Sequence, residues 1–181
     1  VAREYHSTCK PKGVEDLGAI DNPAWAFSPL NNFYYIHEPF APQFDIQGYA
    51  ENPARATGND CFTAHPSQND WYETIKLNYG VFYQNGGEQQ FDPIPNTWHK
   101  MLHILLFWAG KGIDGFRCDM AEMVPQAFWT WAIAQVKEQY PNILFIAEVY
   151  NPDLYRAYIA AGFDYLYDKV GMYDYLRGVT S

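Results

Sequence analysis

Cysteine, long apolar runs and positive charge are all scarce in this chain of 181 residues. Its 3 cysteines, Cys9, Cys61 and Cys118, are an odd number with no Cys-x-x-Cys spacing, so neither a disulfide framework nor a zinc ribbon is indicated. The longest apolar stretch is about seven residues, Ile104 to Gly110, well short of the ~20 that a membrane span needs. No charged segment followed by an apolar one opens the chain, so no signal peptide is visible. Lys and Arg total 12 against 21 Asp and Glu, a net charge of −9. That balance excludes nucleic acid as a partner, because phosphate binding needs clustered cations. No P-loop and no Gly-x-Ser-x-Gly elbow occurs, and the one Gly-x-Gly-x-x-Gly spacing, Gly110 to Gly115, leads from a helix into a strand rather than from a strand into a helix, which removes support for nucleotide binding and for a serine nucleophile.

What is present is aromatic. Hydrophobic residues make up 48% of the chain, enough to bury a sizeable core, and aromatics reach 18%, with 15 Tyr and 6 Trp. Flat rings with a polar edge suit sugar rings, protein interfaces and an aromatic core alike.

The texture changes near residue 95. Residues 1–95 scatter Pro, Gly, Asn, Asp and Tyr through short polar stretches such as Asp21-Asn22-Pro23 and Gly58-Asn59-Asp60, which reads as an irregular excursion. Its clearest strand candidate is Tyr72 to Tyr79, where Ile75, Leu77 and Tyr79 alternate with Lys76 and Asn78. Residues 96–181 are regular. Thr97 to Lys111 reads as a helix apolar almost all round, hence buried, and ended by Gly112. Strands follow at Ile113 to Cys118, Ile143 to Val149 and Phe163 to Tyr167, with helices from Pro125 to about Gln139 and from Pro152 to Gly162. The middle strand is apolar apart from Glu148, as strands covered on both faces are. Alternation of this kind predicts an α/β fold with a parallel sheet, either an open doubly wound sheet or part of a closed barrel. A complete (β/α)8 TIM barrel needs eight such strands and about 250 residues.

The strand ends carry the chemistry. Asp119 closes Gly115-Phe116-Arg117-Cys118, and Glu148 closes Ile143 to Ala147. Active sites of parallel α/β folds lie at that edge. Neighbouring strands are about 4.8 Å apart, so the two carboxylates could be roughly 5–5.5 Å apart, the spacing of a retaining glycosidase. Asp119 would be ionised beside Arg117, and Glu148, set among Ala147 and Val149, would have its pKa raised by burial. Spacing alone leaves a second reading open: Arg117 and Asp119 form an ion pair closing the strand, with Glu148 merely solvated.

Gly112-Ile113-Asp114-Gly115-Phe116-Arg117-Cys118-Asp119 resembles the second conserved region of the α-amylase family, glycoside hydrolase family 13, and Phe145-Ile146-Ala147-Glu148-Val149 resembles its third. Thr74 to Tyr79 and Ala161 to Asp174 are similar, more weakly, to flanking segments. The resemblance implies part of a (β/α)8 TIM barrel, about strands four to six. Residues 1–95 would be the domain-B-like excursion between strands three and four, and 96–181 a partial barrel segment. It implies a retaining glycosidase cleaving α-glucosidic bonds, with Asp119 as nucleophile, Glu148 as general acid/base and Arg117 supporting the nucleophile. The same motifs serve α-glucan transglycosylases and branching enzymes, and non-catalytic family members act as partner subunits. Tyr150 is a candidate to stack on the leaving sugar and Glu122 to face an acceptor sugar. Packing against the next helix is the other reading for Tyr150, and a solvated rim carboxylate the other for Glu122. The aromatic residues Trp25, Tyr34, Tyr35, Trp71 and Tyr72 are candidates to wall a substrate groove.

Departures from the family pattern matter equally. Its Asn-His region and its late His-Asp region, with the third catalytic carboxylate, fall outside these residues, so the segment by itself is expected to be inactive. Many calcium-dependent members carry a His four positions after the nucleophile, where this chain has Met123. Calcium is thus implied only by the resemblance, and no redox or nucleotide cofactor is implied. The partners expected are an α-glucan or malto-oligosaccharide. His99 and His103 have helical metal-pair spacing, but Lys100 replaces the Glu of His-Glu-x-x-His. His6, His37 and His65 have no partner spacing.

Overall fold

The region before the helices builds its interior with very little sheet. The computed structural model describes residues 2–3, 13–14, 16–46 and 48–178, and His6 and Cys9 lie outside them. The chain divides into two compact units, Val1–Ile104 and Leu105–Ser181.

In the first unit β1 (Tyr35–Ile36) pairs antiparallel with β2 (Ala54–Arg55), and β3 (Val81–Phe82) with β4 (Glu88–Gln89). Leu17, Phe33, Tyr35 and Ile75 form one buried cluster, and Phe40, Ala54 and Ala64 another. With so few ladders, buried side chains satisfy the backbone instead. Asn32 accepts from the Gly18 amide at 2.8 Å and donates to Thr97 Oγ1 at 3.1 Å. Asn78 donates to the Ser28 carbonyl at 2.7 Å and accepts from the Gly80 amide.

The strand expected over Tyr72 to Tyr79 is absent. That segment makes isolated bridges, Thr74 to Ala2 and Leu77 to Phe33. Its Lys76 amide bonds to Ala56 and its Asn78 amide to Asn32, so successive bonds go to different neighbours and no ladder extends. Nor does polarity mark a face here: Lys76 and Asn78 are buried along with Ile75, Lys76 by pairing with Asp60.

The helix α1 (Asn96–Ala109) forms where expected, but it is not buried all round. Trp98, Leu102, Leu105 and Ala109 make a buried stripe at helical spacing, whereas Trp108 is exposed.

In the second unit β5 (Gly115–Cys118), α2 (Gln126–Gln139), β6 (Leu144–Ala147), α3 (Tyr155–Ala160) and β7 (Tyr165–Leu166) alternate, followed by α4 (Gly171–Leu176). The sheet is parallel in the order β5-β6-β7, the α/β arrangement the sequence predicts. Gly115 lets β5 approach β6 closely, because a Cβ there would meet the Leu144 carbonyl oxygen at 2.6 Å. The core joins Phe128, Trp129, Ile133 and Val136 of α2 to Phe145 and Ala147 of β6 and to Phe163. Contrary to a strand covered on both faces, β6 alternates: Phe145 and Ala147 are buried, Leu144 is exposed and Ile146 intermediate. Lys137 staples the N-terminal side of the sheet. Its ammonium meets both Asp164 oxygens at 2.8 and 2.9 Å, and Asp164 also takes the Phe145 amide.

Candidate active site

Register decides which side chains meet. Cys118 pairs with Ala147, and Ala147 with Leu166, so the next residue of each strand comes to a common edge: Asp119, Glu148 and Tyr167. The Glu148 amide donates to the Cys118 carbonyl and the Tyr167 amide to the Ala147 carbonyl, both at 3.0 Å, extending the alignment past the strands. This is the C-terminal edge, where parallel α/β folds place their chemistry.

One guanidinium joins the two carboxylates. Arg117 Nη1 bonds to Asp119 Oδ1, and Nη2 lies 3.0 Å from Glu148 Oε2. The Arg117 ring contact is Tyr167, 5.5 Å from centroid to guanidinium. Its pKa is raised, first by the hydrogen bond to Tyr167 and then by that to Asp119. Asp119 is open, with 69% of its side chain exposed, whereas Glu148 retains 8%. An open carboxylate beside a recessed one fits attack by the first and proton transfer by the second.

Both oxygens of Glu148 are occupied. Oε2 also accepts from the Met120 amide at 3.1 Å. Met120 has φ 46°, a left-handed conformation that costs a non-glycine residue about 1–3 kcal/mol. That turn, immediately after Asp119, aims the amide back at Glu148. Oε1 accepts from the Tyr150 hydroxyl at 3.1 Å and lies 3.6 Å from Lys169 Nζ. The expectation that burial raises the Glu148 pKa is therefore corrected. Burial does push it up, but the Met120 amide, contacts with Asp119 and Tyr150, and the Arg117 charge outweigh it, and the carboxyl sits below its ordinary value.

The remaining candidates are placed as follows. Glu122 Oε2 accepts the amides of Tyr150 and Asn151, each at 3.1 Å, so its carboxylate fastens the loop after β6. Tyr150 is half-buried, its hydroxyl on Glu148. Cys118 faces the opposite side of β5, where burial pushes its thiol up to about 12, far from a reactive thiolate. Among the described residues no three His, Cys, Asp or Glu side chains cluster as metal ligands would. No helix is long and apolar enough to cross a membrane, again among the described residues. Sequence reasoning missed Lys169 and Tyr167. The signal available was the strand-edge rule applied to the third strand, whose end carries both.

No family model matches the chain. The alpha-1,4-glucan:maltose-1-phosphate maltosyltransferase of Chlorobaculum tepidum is 36% identical over 158 residues, 81% of this chain and 23% of the relative. The protein of that name from Burkholderia pseudomallei is 29% identical over 160 residues, 83% of this chain and 13% of the relative. The chain thus spans about a quarter or less of the length of the curated relatives it matches. Among solved structures, an alpha-amylase from Lactobacillus plantarum superposes with a TM-score of 0.41 at 28% identity, over 61% of this chain and 26% of that one. A maltogenic amylase from S. marinus superposes with a TM-score of 0.43 at 24% identity, over 70% and 14%.

Proposed function

Over the segment shared with these relatives the chain belongs to the α-amylase family, and from that premise we propose that it carries the nucleophile and acid/base of a retaining enzyme that transfers α-glucosyl units between sugars. On this reading β5, β6 and β7 are about the fourth to sixth strands of a (β/α)8 barrel, and residues 1–95 the excursion before them. The observation that carries the reading is the single Arg117 guanidinium spanning Asp119 and Glu148 on adjacent strand ends.

The chemistry is double displacement. An Asp119 oxygen attacks the anomeric carbon while the bond from that carbon to the leaving oxygen breaks, and Glu148 delivers its proton to that oxygen. The incoming hydroxyl then attacks the same carbon, gives its proton to the Glu148 carboxylate, and the bond to Asp119 breaks. Asp119 is exposed enough to reach substrate, and its bond to Arg117 keeps it oriented. The Met120 amide and the Arg117 charge favour ionised Glu148, the form required in the second half-reaction. No cofactor is required by either step. Tyr150, with its ring beside the acid/base, is the candidate contact for the leaving sugar. Glu122 acts through the loop it fastens.

The names of the relatives favour a sugar over water as acceptor. Hydrolysis of α-glucosidic bonds uses the same residues and is the second reading. The test is to give the intact gene product α-maltosyl fluoride with and without a malto-oligosaccharide acceptor and to separate the products. Transfer predicts elongated oligosaccharides outnumbering free maltose once acceptor is present. Maltose as the main product at every acceptor concentration would assign hydrolysis. Fluoride release no faster than in buffer would remove the enzymatic reading and leave a partner-subunit role.

A further inference from the structure

Lys169 enters neither of the steps above, yet it reaches the site from the third strand. It follows β7 by three residues and is half-buried, with 32% of its side chain exposed. Its ammonium bonds to the Tyr150 hydroxyl, sits 3.9 Å from the centre of that ring, and lies 3.6 Å from Glu148 Oε1. The Tyr150 hydroxyl in turn bonds to the same Oε1 at 3.1 Å. Lysine, tyrosine and glutamate therefore form a chain in which the tyrosine is held at both ends of its polar reach. A cavity of about 560 Å³, lined by Glu148, Tyr167, Lys169, Tyr173 and Leu176 among others, opens beside it.

We propose that Lys169 is a positioning residue for Glu148, holding the Tyr150 hydroxyl against one carboxyl oxygen and biasing that carboxyl toward its ionised form. The groups facing Glu148 divide by oxygen. Arg117 of β5 and the Met120 amide serve Oε2, Tyr150 and Lys169 serve Oε1, and Asp119 is the acidic side chain in contact with the carboxyl. Arg117 is also committed to Asp119. Among the described residues Lys169 pairs with the Glu148 carboxylate and with no other, so its direct ion pair is with the acid/base and not with the nucleophile. An ammonium favours the charged carboxylate, and removing it moves the carboxyl's titration upward. Tyr150 must also keep its ring where Lys169 holds it, because phenol and ammonium share one contact.

The importance of this for turnover rests on the function proposed above, but the titration itself does not. The experiment is a pH titration of the Glu148 side-chain carboxyl by carbon NMR in the intact gene product, assigned by its loss in Glu148→Gln. Lys169→Met is expected to raise the midpoint by about one pH unit, and Lys169→Arg to leave it near the parent. Tyr150→Phe is expected to raise it as well, and adding Lys169→Met to Tyr150→Phe should raise it by less than the sum of the two singles, the mark of action through a shared contact. If the enzyme turns over α-glucosides, the alkaline limb of kcat/KM moves in the same direction as the midpoint. A parental midpoint in folded Lys169→Met, or a lowered one, would overturn the proposal. Strict additivity would leave the charge effect and overturn the route through Tyr150. An inactive parent whose midpoint still shifts would fail the enzymatic reading and not this one.

Discussion

Each unit of the molecule contains a buried glutamate with two cations and a tyrosine, and the two differ in what is left uncovered. Glu51 meets Arg3 at 2.5 Å, Arg55 at 2.6 Å and the Tyr49 hydroxyl at 2.5 Å, and the side chains of Arg3, Glu51 and Arg55 are exposed by only 2, 6 and 8%. Glu148 meets Arg117, Lys169 and Tyr150, but its cations retain 42 and 32%. The Glu51 cluster closes on itself: Arg3 also donates to the carbonyls of Tyr72, Arg55 and Thr74, tying distant stretches together. The Glu148 cluster stops at an open edge, and the one acidic group added there, Asp119, faces solvent. Cation count is the same in the two clusters. Access differs, together with a carboxylate, Asp119, that no packing requirement explains.

Substitution can sharpen or break this contrast. The largest effect expected is in the open cluster: Asp119→Asn should reduce glycosyl transfer about 10,000-fold while the unfolding midpoint in urea stays at the parental value, since the side chain is exposed. Equal losses of stability and turnover would put Asp119 in the structural class. In the closed cluster the order reverses. Glu51→Gln removes the carboxylate that two buried arginines share and should cost about 3–5 kcal/mol in urea unfolding. A loss under about 1 kcal/mol would show that water reaches the cluster.

Acid provides a milder probe. For Glu51, burial raises the pKa but Arg55, Arg3 and Tyr49 together lower it below normal. A carboxylate with a lowered folded pKa contributes stability above its unfolded value, about 4.3, and loses it as pH falls through the folded one. Stability should therefore decline below about pH 4, and Glu51→Gln should flatten that decline. A decline of unchanged slope in the variant would assign it to other carboxylates, Asp164 first, whose lowered pKa reflects burial outweighed by Lys137 and the Phe145 amide. The smallest effect belongs to Glu122. Glu122→Gln keeps one acceptor oxygen for the Tyr150 and Asn151 amides, so kcat is expected to fall only about 3-fold, with little change in KM. A larger change in KM than in kcat would restore Glu122 as a substrate contact.

The second unit was largely legible in the sequence because period and punctuation agree there. Pro125, Gly112 and the apolar runs bound the elements, and two strand ends display Asp119 and Glu148 by position alone. The first unit was not legible at that level. Ile75, Leu77 and Tyr79 alternate as a strand should, yet Lys76 and Asn78 are buried too, through an ion pair with Asp60 and a bond to the Ser28 carbonyl. Those partners lie 16 and 50 positions away, and no local pattern encodes them. The all-round apolar character of α1 likewise overstates its burial, because composition gives no account of which neighbours cover a face. Lys169 was missed for the same reason as the Lys76 pairing: its meaning depends on Tyr150 and Glu148, which reach it only through sheet register. The sign of the Glu148 shift was missed because chain neighbours Ala147 and Val149 suggest burial, while the opposing groups come from other strands.

The central claim is that Asp119 is a glycosyl nucleophile. The direct measurement is the mass of the intact gene product after incubation with a fluorinated α-glucosyl fluoride, followed by peptide mapping. The account predicts one sugar adduct per chain, carried on the peptide containing Asp119 and missing in Asp119→Asn. No adduct on folded protein, or an adduct on a different carboxylate, would contradict it.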